Sequence, residues 1–104
     1  MSVTVILEAQ VKQENKVKLL QLLRSYLPET YEFKGFTDIT IYSEENTEVV
    51  LFISKWQSFS DYQLYLQWRT DTGVMAILGA LLTSPPRIRQ LETEISFAVE
   101  KCDE

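Results

Sequence analysis

The chain has 104 residues, of which 45% are hydrophobic and 24% charged, and its formal net charge is −5. This length suits one hydrophobic core, so we expect a single domain over residues 1–104. The one cysteine, Cys102, cannot form an internal disulfide or a paired-cysteine zinc site, which favours a reducing compartment. The absence of histidine excludes a Ser-His-Asp triad, histidine metal ligands and a proximal haem histidine.

The distribution of charge and hydropathy limits the partners. The ten Lys and Arg residues are scattered between Lys12 and Lys101, whereas nucleic-acid binding draws on clustered positive charge. The longest apolar run, residues 74–82, is about half of the roughly 20 residues that span a bilayer. No charged-then-apolar leader opens the sequence. We expect a soluble, cytoplasmic protein that binds neither nucleic acid nor membrane.

Hydrophobic spacing predicts strand, helix and strand in the first half of the chain. Residues 2–11 alternate as a strand, and an apolar stripe predicts a helix over residues 14–27. Pro28 ends that helix, residues 28–34 form a turn, and Gly35 introduces a second strand over residues 36–43. The apolar face of the first strand comprises Val3, Val5, Leu7, Ala9 and Val11. The helical stripe comprises Val17, Leu20, Leu23 and Leu27, widened by Leu19 and Tyr26.

The second half repeats the order strand, helix and strand. Its elements are a polar link over 44–47, a strand over 48–56, a helix over 58–69, a short helix over 74–82 and a strand over 87–99. The nearly continuous apolar run from Val49 to Ile53 is typical of a central strand. Ser58, followed three residues later by Asp61, resembles a capping box. Gly73 separates the two helices, and Pro85-Pro86 ends the second one.

The order β-α-β-β-α-β predicts an α+β, ferredoxin-like fold: a four-stranded antiparallel sheet with helices on one face. The first three strands carry apolar or aromatic residues on both faces. The face without helices therefore needs a cover, and a second copy of the chain is the economical candidate. We predict a homodimer formed through the sheet faces.

The densest group of aromatic and polar residues lies between Trp56 and Gly73. At 3.6 residues per turn, Tyr62, Tyr65 and Arg69 fall near one helical face, with Trp68 close to it. Such a face can hold a flat aromatic ligand and form hydrogen bonds with its oxygens. The alternative is that the aromatic residues are core packing, and that Arg69 pairs with a nearby acid, Asp61 or Asp71.

Other polar and aromatic residues near the strand ends also have two interpretations. Trp56 is either a wall of the ligand site or a plug between sheet and helix whose N–H is bonded locally. Tyr42 and Ser54 are candidates to add hydroxyls to a cavity.

Two further reactive groups have ordinary alternatives. Glu8 is a candidate base, but on a half-buried strand it also suits an ion pair with Lys55 or Arg89. Cys102 lies among charges near the end of the sequence and lacks a partner base.

Three segments carry a family resemblance: Gly35-Phe36 at the entry to the second strand, residues 52–58, where a strand ends in Trp-x-Ser, and residues 65–73. Through these three segments the chain resembles the antibiotic biosynthesis monooxygenase (ABM) family of the dimeric α+β barrel superfamily, and the resemblance covers nearly its full length. The resemblance implies a homodimer whose sheets pack into a barrel, with a pocket between sheet and helices in each subunit.

The same resemblance implies a cofactor-independent monooxygenase of a small phenol- or quinol-like aromatic substrate, with no bound cofactor and no metal. Tyr65 would form a hydrogen bond with the substrate oxygen, and Arg69 would stabilise its negative charge. Trp56 or Trp68 would wall the ring, and Tyr62 and Tyr42 complete the predicted substrate-binding set. The absence of histidine removes the haem-degrading chemistry of some relatives. The alternative is a non-catalytic, homodimeric module of the same fold that binds a hydrophobic ligand or acts in stress.

Overall fold

The computed structural model describes residues 3–99, which form a four-stranded antiparallel sheet with helices on one face. In chain order the elements are β1 (Val3–Gln10), α1 (Gln13–Tyr26), a 3-10 helix (Leu27–Glu32), β2 (Phe36–Ser43), β3 (Val49–Trp56), α2 (Phe59–Asp71), α3 (Val74–Gly79) and β4 (Arg87–Glu92). The strand order is β2-β3-β1-β4, and all neighbours are antiparallel. The predicted ferredoxin-like βαββαβ fold is confirmed, and β3 is a central strand. Cys102 lies outside the described residues.

The two faces of the sheet have different surroundings. On β1, alternate residues Val5, Leu7 and Ala9 are buried beneath the helices, as the sequence pattern predicts. The opposite face has no covering element within residues 3–99, although Ile6 of β1 lies directly across from Ile53 of β3 on it. One face therefore forms the core of the chain, and the other is open.

The apolar stripe of α1 is rotated from its predicted position. Leu19 and Leu23 are buried, whereas Val17, assigned to the stripe, is 65% exposed. At about 100° per residue, Val17 lies nearly opposite Leu19, so the two cannot face the sheet together. The 3-10 helix begins directly after α1 with Pro28 in its first turn, in agreement with the predicted end of the helix. Among residues 3–99, no helix combines the length and the hydropathy needed to cross a membrane.

The last strand is shorter than the sequence pattern predicts. It ends at Glu92, which is paired with Val3 of β1, so the ladder between the two strands stops there. Residues 93–99 have no regular structure. Ile95, Phe97 and Val99 are between 87% and 98% exposed. Their alternation was read as a strand, but they have no ladder partner among the described residues.

The start of α2 is fixed by its cap and by a close contact with the preceding loop. Ser58 is extended and its Oγ accepts a hydrogen bond from the backbone N–H of Asp61 at 3.1 Å, which confirms the predicted cap. Gly35 has φ +84° and its carbonyl oxygen accepts from the N–H of Gln57 at 2.8 Å. A Cβ on Gly35 would overlap the Asp61 side chain. The entry to β2 therefore packs directly against the first turn of α2.

We expect Gly35→Ala to reduce the free energy of unfolding by about 3 kcal/mol, since left-handed backbone strain adds to overlap with Asp61. Gly73→Ala is the matched control, because Gly73 has φ +86° and open space where its Cβ would stand. It should cost only about 1 kcal/mol, the backbone contribution. Urea unfolding of both variants measures the difference. Equal losses would show that the approach of Gly35 to Asp61 does not constrain the fold.

Candidate functional site

A cavity of about 130 Å3 lies between the helix-covered face of the sheet and the helices. Most of its wall is apolar, with Leu7 and Phe52 from the sheet and Met75 and Leu78 from α3. The polar residues on the wall are Tyr26, Thr30, Ser54, Tyr62, Tyr65 and Arg69. The cavity is thus an apolar chamber with a few hydroxyl groups and one cation at its boundary.

Arg69, on α2, is 3% exposed and is surrounded by acceptors from this chain. Its Nε–H donates to the Tyr65 hydroxyl oxygen at 2.9 Å, and Nη1 donates to Glu29 Oε1 at 2.9 Å. Nη2 donates to the carbonyl oxygen of Tyr26 at 2.8 Å and to Thr30 Oγ1 at 3.1 Å. A guanidinium has five N–H donors, so most of its capacity is used inside the protein. Arg69 therefore joins α2 to the end of α1 and to the 3-10 helix.

The charge of Arg69 is balanced by Glu29, and not by either acid that sequence proximity suggested. Asp71 accepts a hydrogen bond from Gln67 at 2.8 Å, and Asp61 packs against the loop at Gly35. Glu29 is separated from Arg69 by 40 positions, so no local pattern could identify it. The expected pairing of Arg69 with Asp61 or Asp71 is corrected accordingly.

Trp68 supports Arg69 but does not line the cavity. The Arg69 Cζ atom lies 4.5 Å from the centre of the Trp68 ring and 5.3 Å from that of Tyr65, close enough for cation–π attraction. The Trp68 ring also packs against Phe33, with centroids 5.5 Å apart. The predicted ligand wall at Trp68 is thus occupied by protein contacts.

The hydroxyls of Tyr65 and Thr30 lie 3.0 Å apart and form one hydrogen bond, for which either can be the donor. Arg69 donates to both oxygens, so neither hydroxyl can donate back to it. One of the two hydroxyl protons is used between the pair. The other remains for an acceptor outside this network, and both residues line the cavity. Thr30 was not anticipated from the sequence, because an isolated threonine in a turn carries no signal.

Trp56 is a buried plug between sheet and helix, and its side chain also lies on the cavity wall. It is almost fully buried, and its Nε1–H donates to Ser54 Oγ at 3.0 Å, the local bond expected of a plug between sheet and helix. It also lines the cavity together with Ser54. Its ring centre is 4.9 Å from that of Tyr65 and 5.7 Å from that of Tyr62. These contacts fix the orientation of the indole.

Tyr62 is buried beside Trp56 at the cavity wall. Burial raises the pKa of Tyr62 from its ordinary value of 10.0 to about 12, and the proximity of Tyr65 adds to the increase. The Tyr62 phenol therefore stays neutral at any pH near neutrality. It supplies an aromatic wall and not a base.

Tyr42 is separated from the cavity by the sheet. It is 51% exposed, does not line the cavity, and pairs with Leu51 on the open face. The pairing of β2 with β3 shifts between Phe36 and Asp38, and this irregularity places Phe36 and Ile39 on the same face. If the side chains alternated strictly from Phe36 onwards, Tyr42 would lie on the cavity face of the sheet.

Glu8 also lies away from the cavity. It forms an ion pair with Arg89 on β4, with Oε1 and Nη2 2.8 Å apart, so one of its two predicted ordinary partners is confirmed. Of the predicted site residues, the structure thus brings five to the cavity: Ser54, Trp56, Tyr62, Tyr65 and Arg69.

Comparison with solved structures shows the same fold in several proteins. The monooxygenase from the gene ActVA-Orf6 of Streptomyces coelicolor, solved with Nanaomycin D, has a TM-score of 0.83 at 17% identity over 95% of this chain and 93% of that chain. A conserved protein from Methanosarcina mazei Go1 has a TM-score of 0.81 at 21% identity, over 90% and 94%. SnoaB of Streptomyces nogalater, a cofactor-independent oxygenase, has a TM-score of 0.78 at 14% identity, over 91% and 95%.

At these identities the structural matches show the fold alone. No curated protein matches the chain in sequence. The model of the family described as antibiotic biosynthesis monooxygenase matches residues 2–70, which is more than half of the 104 residues. The chain therefore belongs to the antibiotic biosynthesis monooxygenase family.

Proposed function

We propose that this protein is a cofactor-independent monooxygenase of a small phenol- or quinol-like substrate held in the cavity between sheet and helices. The observation that carries the proposal is the Tyr65–Thr30 hydroxyl pair, which Arg69 holds at the wall of an apolar chamber. Membership of a monooxygenase family, and a fold shared with a cofactor-independent oxygenase, support the same reaction class.

In this reaction the substrate itself supplies the electrons. A quinol that has lost a proton transfers electrons to dioxygen, and one oxygen atom enters the ring as a hydroxyl while the other leaves as water. Oxidation of the quinol to the quinone provides two electrons, and hydroxylation of one ring carbon provides two more. The product is a hydroxyquinone, and no external reductant is needed.

The roles of the residues follow from their contacts. Tyr65 is half-buried whereas Thr30 is fully buried, so Thr30 would donate to Tyr65. The Tyr65 hydroxyl would then donate to the substrate oxygen and stabilise the negative charge that develops there. Arg69 would act through Tyr65, because the Arg69 Nε–H donates a hydrogen bond to the Tyr65 hydroxyl oxygen and fixes the position of that hydroxyl. Trp56 and Tyr62 would hold the ring in place.

The alternative is a non-catalytic module that binds a hydrophobic ligand. One observation favours it: within the described part of the chain, the cavity wall includes no Asp, Glu or His that could take up a proton. A monooxygenase with this wall depends on a quinol that enters as the neutral molecule and releases its proton to water as its electrons are transferred.

We expect the protein to accelerate the oxidation of hydroquinones by dioxygen. The Tyr65→Phe and Arg69→Ala variants should each lower the catalysed rate roughly 100-fold, the usual effect of removing one donor to a developing oxyanion. An oxygen electrode measures uptake, and mass spectrometry with isotopically labelled dioxygen shows whether one labelled atom enters the product. Tyr31→Phe and Arg24→Ala are matched controls at exposed positions and should retain full activity.

If the protein and all variants give only the uncatalysed rate, the oxygenase proposal fails. Stabilisation against heat by the same compounds without turnover would then establish the binding module.

We also propose that a second copy covers the open face of the sheet. Ile6, Leu51 and Ile53 lie on that face, as does the half-exposed Tyr42. The Nε atom of Arg89, on β4, is buried there without a hydrogen-bond partner. The exposed apolar side chains of residues 93–99 add to the apolar surface of the chain. Such a surface is typical of a protein–protein interface.

Light scattering at micromolar concentration should therefore give twice the 12.1 kDa mass of the chain. Ile53→Glu should yield the single-chain mass, because it places a charge at the centre of the open face. Leu64→Glu is the control, since Leu64 is already 61% exposed on α2. A single-chain mass for the unmodified protein would refute the dimer.

A further inference from the structure

We infer that the cavity selects a neutral ligand with one aromatic ring and at least one oxygen that accepts a hydrogen bond, and that Leu78 and Met75 on α3 set the size limit. The inference rests on the proposed function only in taking this cavity as the substrate site. It narrows the substrate class from small phenol- or quinol-like compounds in general to neutral phenols and quinols with a single ring.

The volume of the cavity sets the first limit. At about 130 Å3 it is close to an engineered apolar cavity of ~150 Å3 in another protein, which binds benzene. Pockets for drug-sized ligands are larger, roughly 300 to 1,000 Å3. A three-ring aromatic compound has more than twice as many carbon atoms as benzene. Such a compound exceeds the cavity volume, so it fits inside only if the wall moves.

The wall on the sheet side is the less adaptable one. Val5 and Trp56 are almost fully buried there, and the Trp56 indole is bonded to Ser54 and packed against other aromatic rings. On α3, in contrast, Met75 and Leu78 are only half-buried, and their spacing of three residues places both on the side that lines the cavity. The size limit is therefore set by two side chains that can be shortened one at a time.

The charge balance sets the second limit. Among residues 3–99, the only charged side chain on the cavity wall is that of Arg69, and its guanidinium already lies 2.9 Å from the Glu29 carboxylate. A negatively charged ligand would leave water for an apolar chamber that offers no uncompensated cation, which is unfavourable. A neutral ligand does not incur this cost.

Hydroxyl groups set the third condition. The Tyr65–Thr30 pair has one hydroxyl proton that is not used between the two residues, on the helix side of the cavity. On the sheet side, Ser54 accepts a hydrogen bond from Trp56 and carries a hydroxyl proton of its own. A ring with an oxygen substituent can accept from these groups, whereas a plain hydrocarbon would leave them unpaired.

The test measures dissociation constants for a defined panel by calorimetry, with tryptophan fluorescence as a second readout. The probes are phenol, hydroquinone, toluene, benzoate, naphthol and anthrone. We expect phenol and hydroquinone to bind at least about tenfold more tightly than each of the others. Tyr65→Phe should reduce the affinity for phenol and leave that for toluene unchanged, since only phenol has an oxygen to accept the hydroxyl proton.

Variants of α3 test the size limit. Leu78→Ala, or Met75→Ala if that variant folds poorly, should increase the affinity for naphthol by at least about tenfold. Ile77→Ala is the matched control, because Ile77 lies on the same helix, is 46% exposed and does not line the cavity. It should leave the affinity for every probe unchanged.

The inference is overturned if the unmodified protein binds naphthol, anthrone or benzoate as tightly as phenol, or if no single-ring phenol binds. These results are distinguishable from failure of the proposed function. Selective binding of phenol without oxygen uptake would refute the monooxygenase and leave the ligand class standing. Turnover of a three-ring quinol would support the monooxygenase and refute the size limit.

Discussion

The structure depends on the burial of one arginine. A guanidinium taken out of water destabilises a protein unless its charge and its N–H groups are satisfied, and removal of one partner of such a group typically costs several kcal/mol. Arg69 is satisfied by Tyr65 on its own helix and by Glu29, Thr30 and the Tyr26 carbonyl. The last three belong to one segment, the end of α1 and the 3-10 helix that follows it. This segment is thereby attached to α2, and the cavity lies between these elements and the sheet. Arg69 stabilises the fold, and in the proposed function it would act on a ligand only through the hydroxyl groups to which it donates.

The two faces of the sheet consequently have different chemistry. The helix side encloses a chamber whose one charge is compensated by a carboxylate and whose remaining polar groups are hydroxyls. The open side carries an ion pair between Glu8 and Arg89, each about one-third exposed, among apolar side chains. A small neutral ligand suits the first environment, and a second protein surface suits the other. Family membership supports the proposed monooxygenase, and the size and charge of the cavity are the basis for the proposed substrate class.

Much of the fold could be predicted from local patterns. Alternation identified the strands, the spacing of leucines identified α1, and Ser58 with Asp61 identified the start of α2. The errors arose where distant residues decide the outcome. The end of β4 depends on pairing with Val3, and the partner of Arg69 lies 40 positions away. Tyr42 lies on the open face because pairing shifts near Phe36, a backbone irregularity that side-chain alternation does not reveal.

The central claim is that Arg69 acts on a ligand through the Tyr65 hydroxyl and not by direct contact. A double-mutant cycle on phenol affinity tests it most directly, with Arg69→Lys and Tyr65→Phe measured singly and together. Lysine keeps the positive charge but lacks the planar guanidinium, whose several N–H groups reach all of the acceptors of Arg69. The account predicts that each single variant weakens binding, and that Arg69→Lys has no further effect once the Tyr65 hydroxyl is absent. Additive losses would contradict it, because they would show that Arg69 and Tyr65 contribute to binding independently.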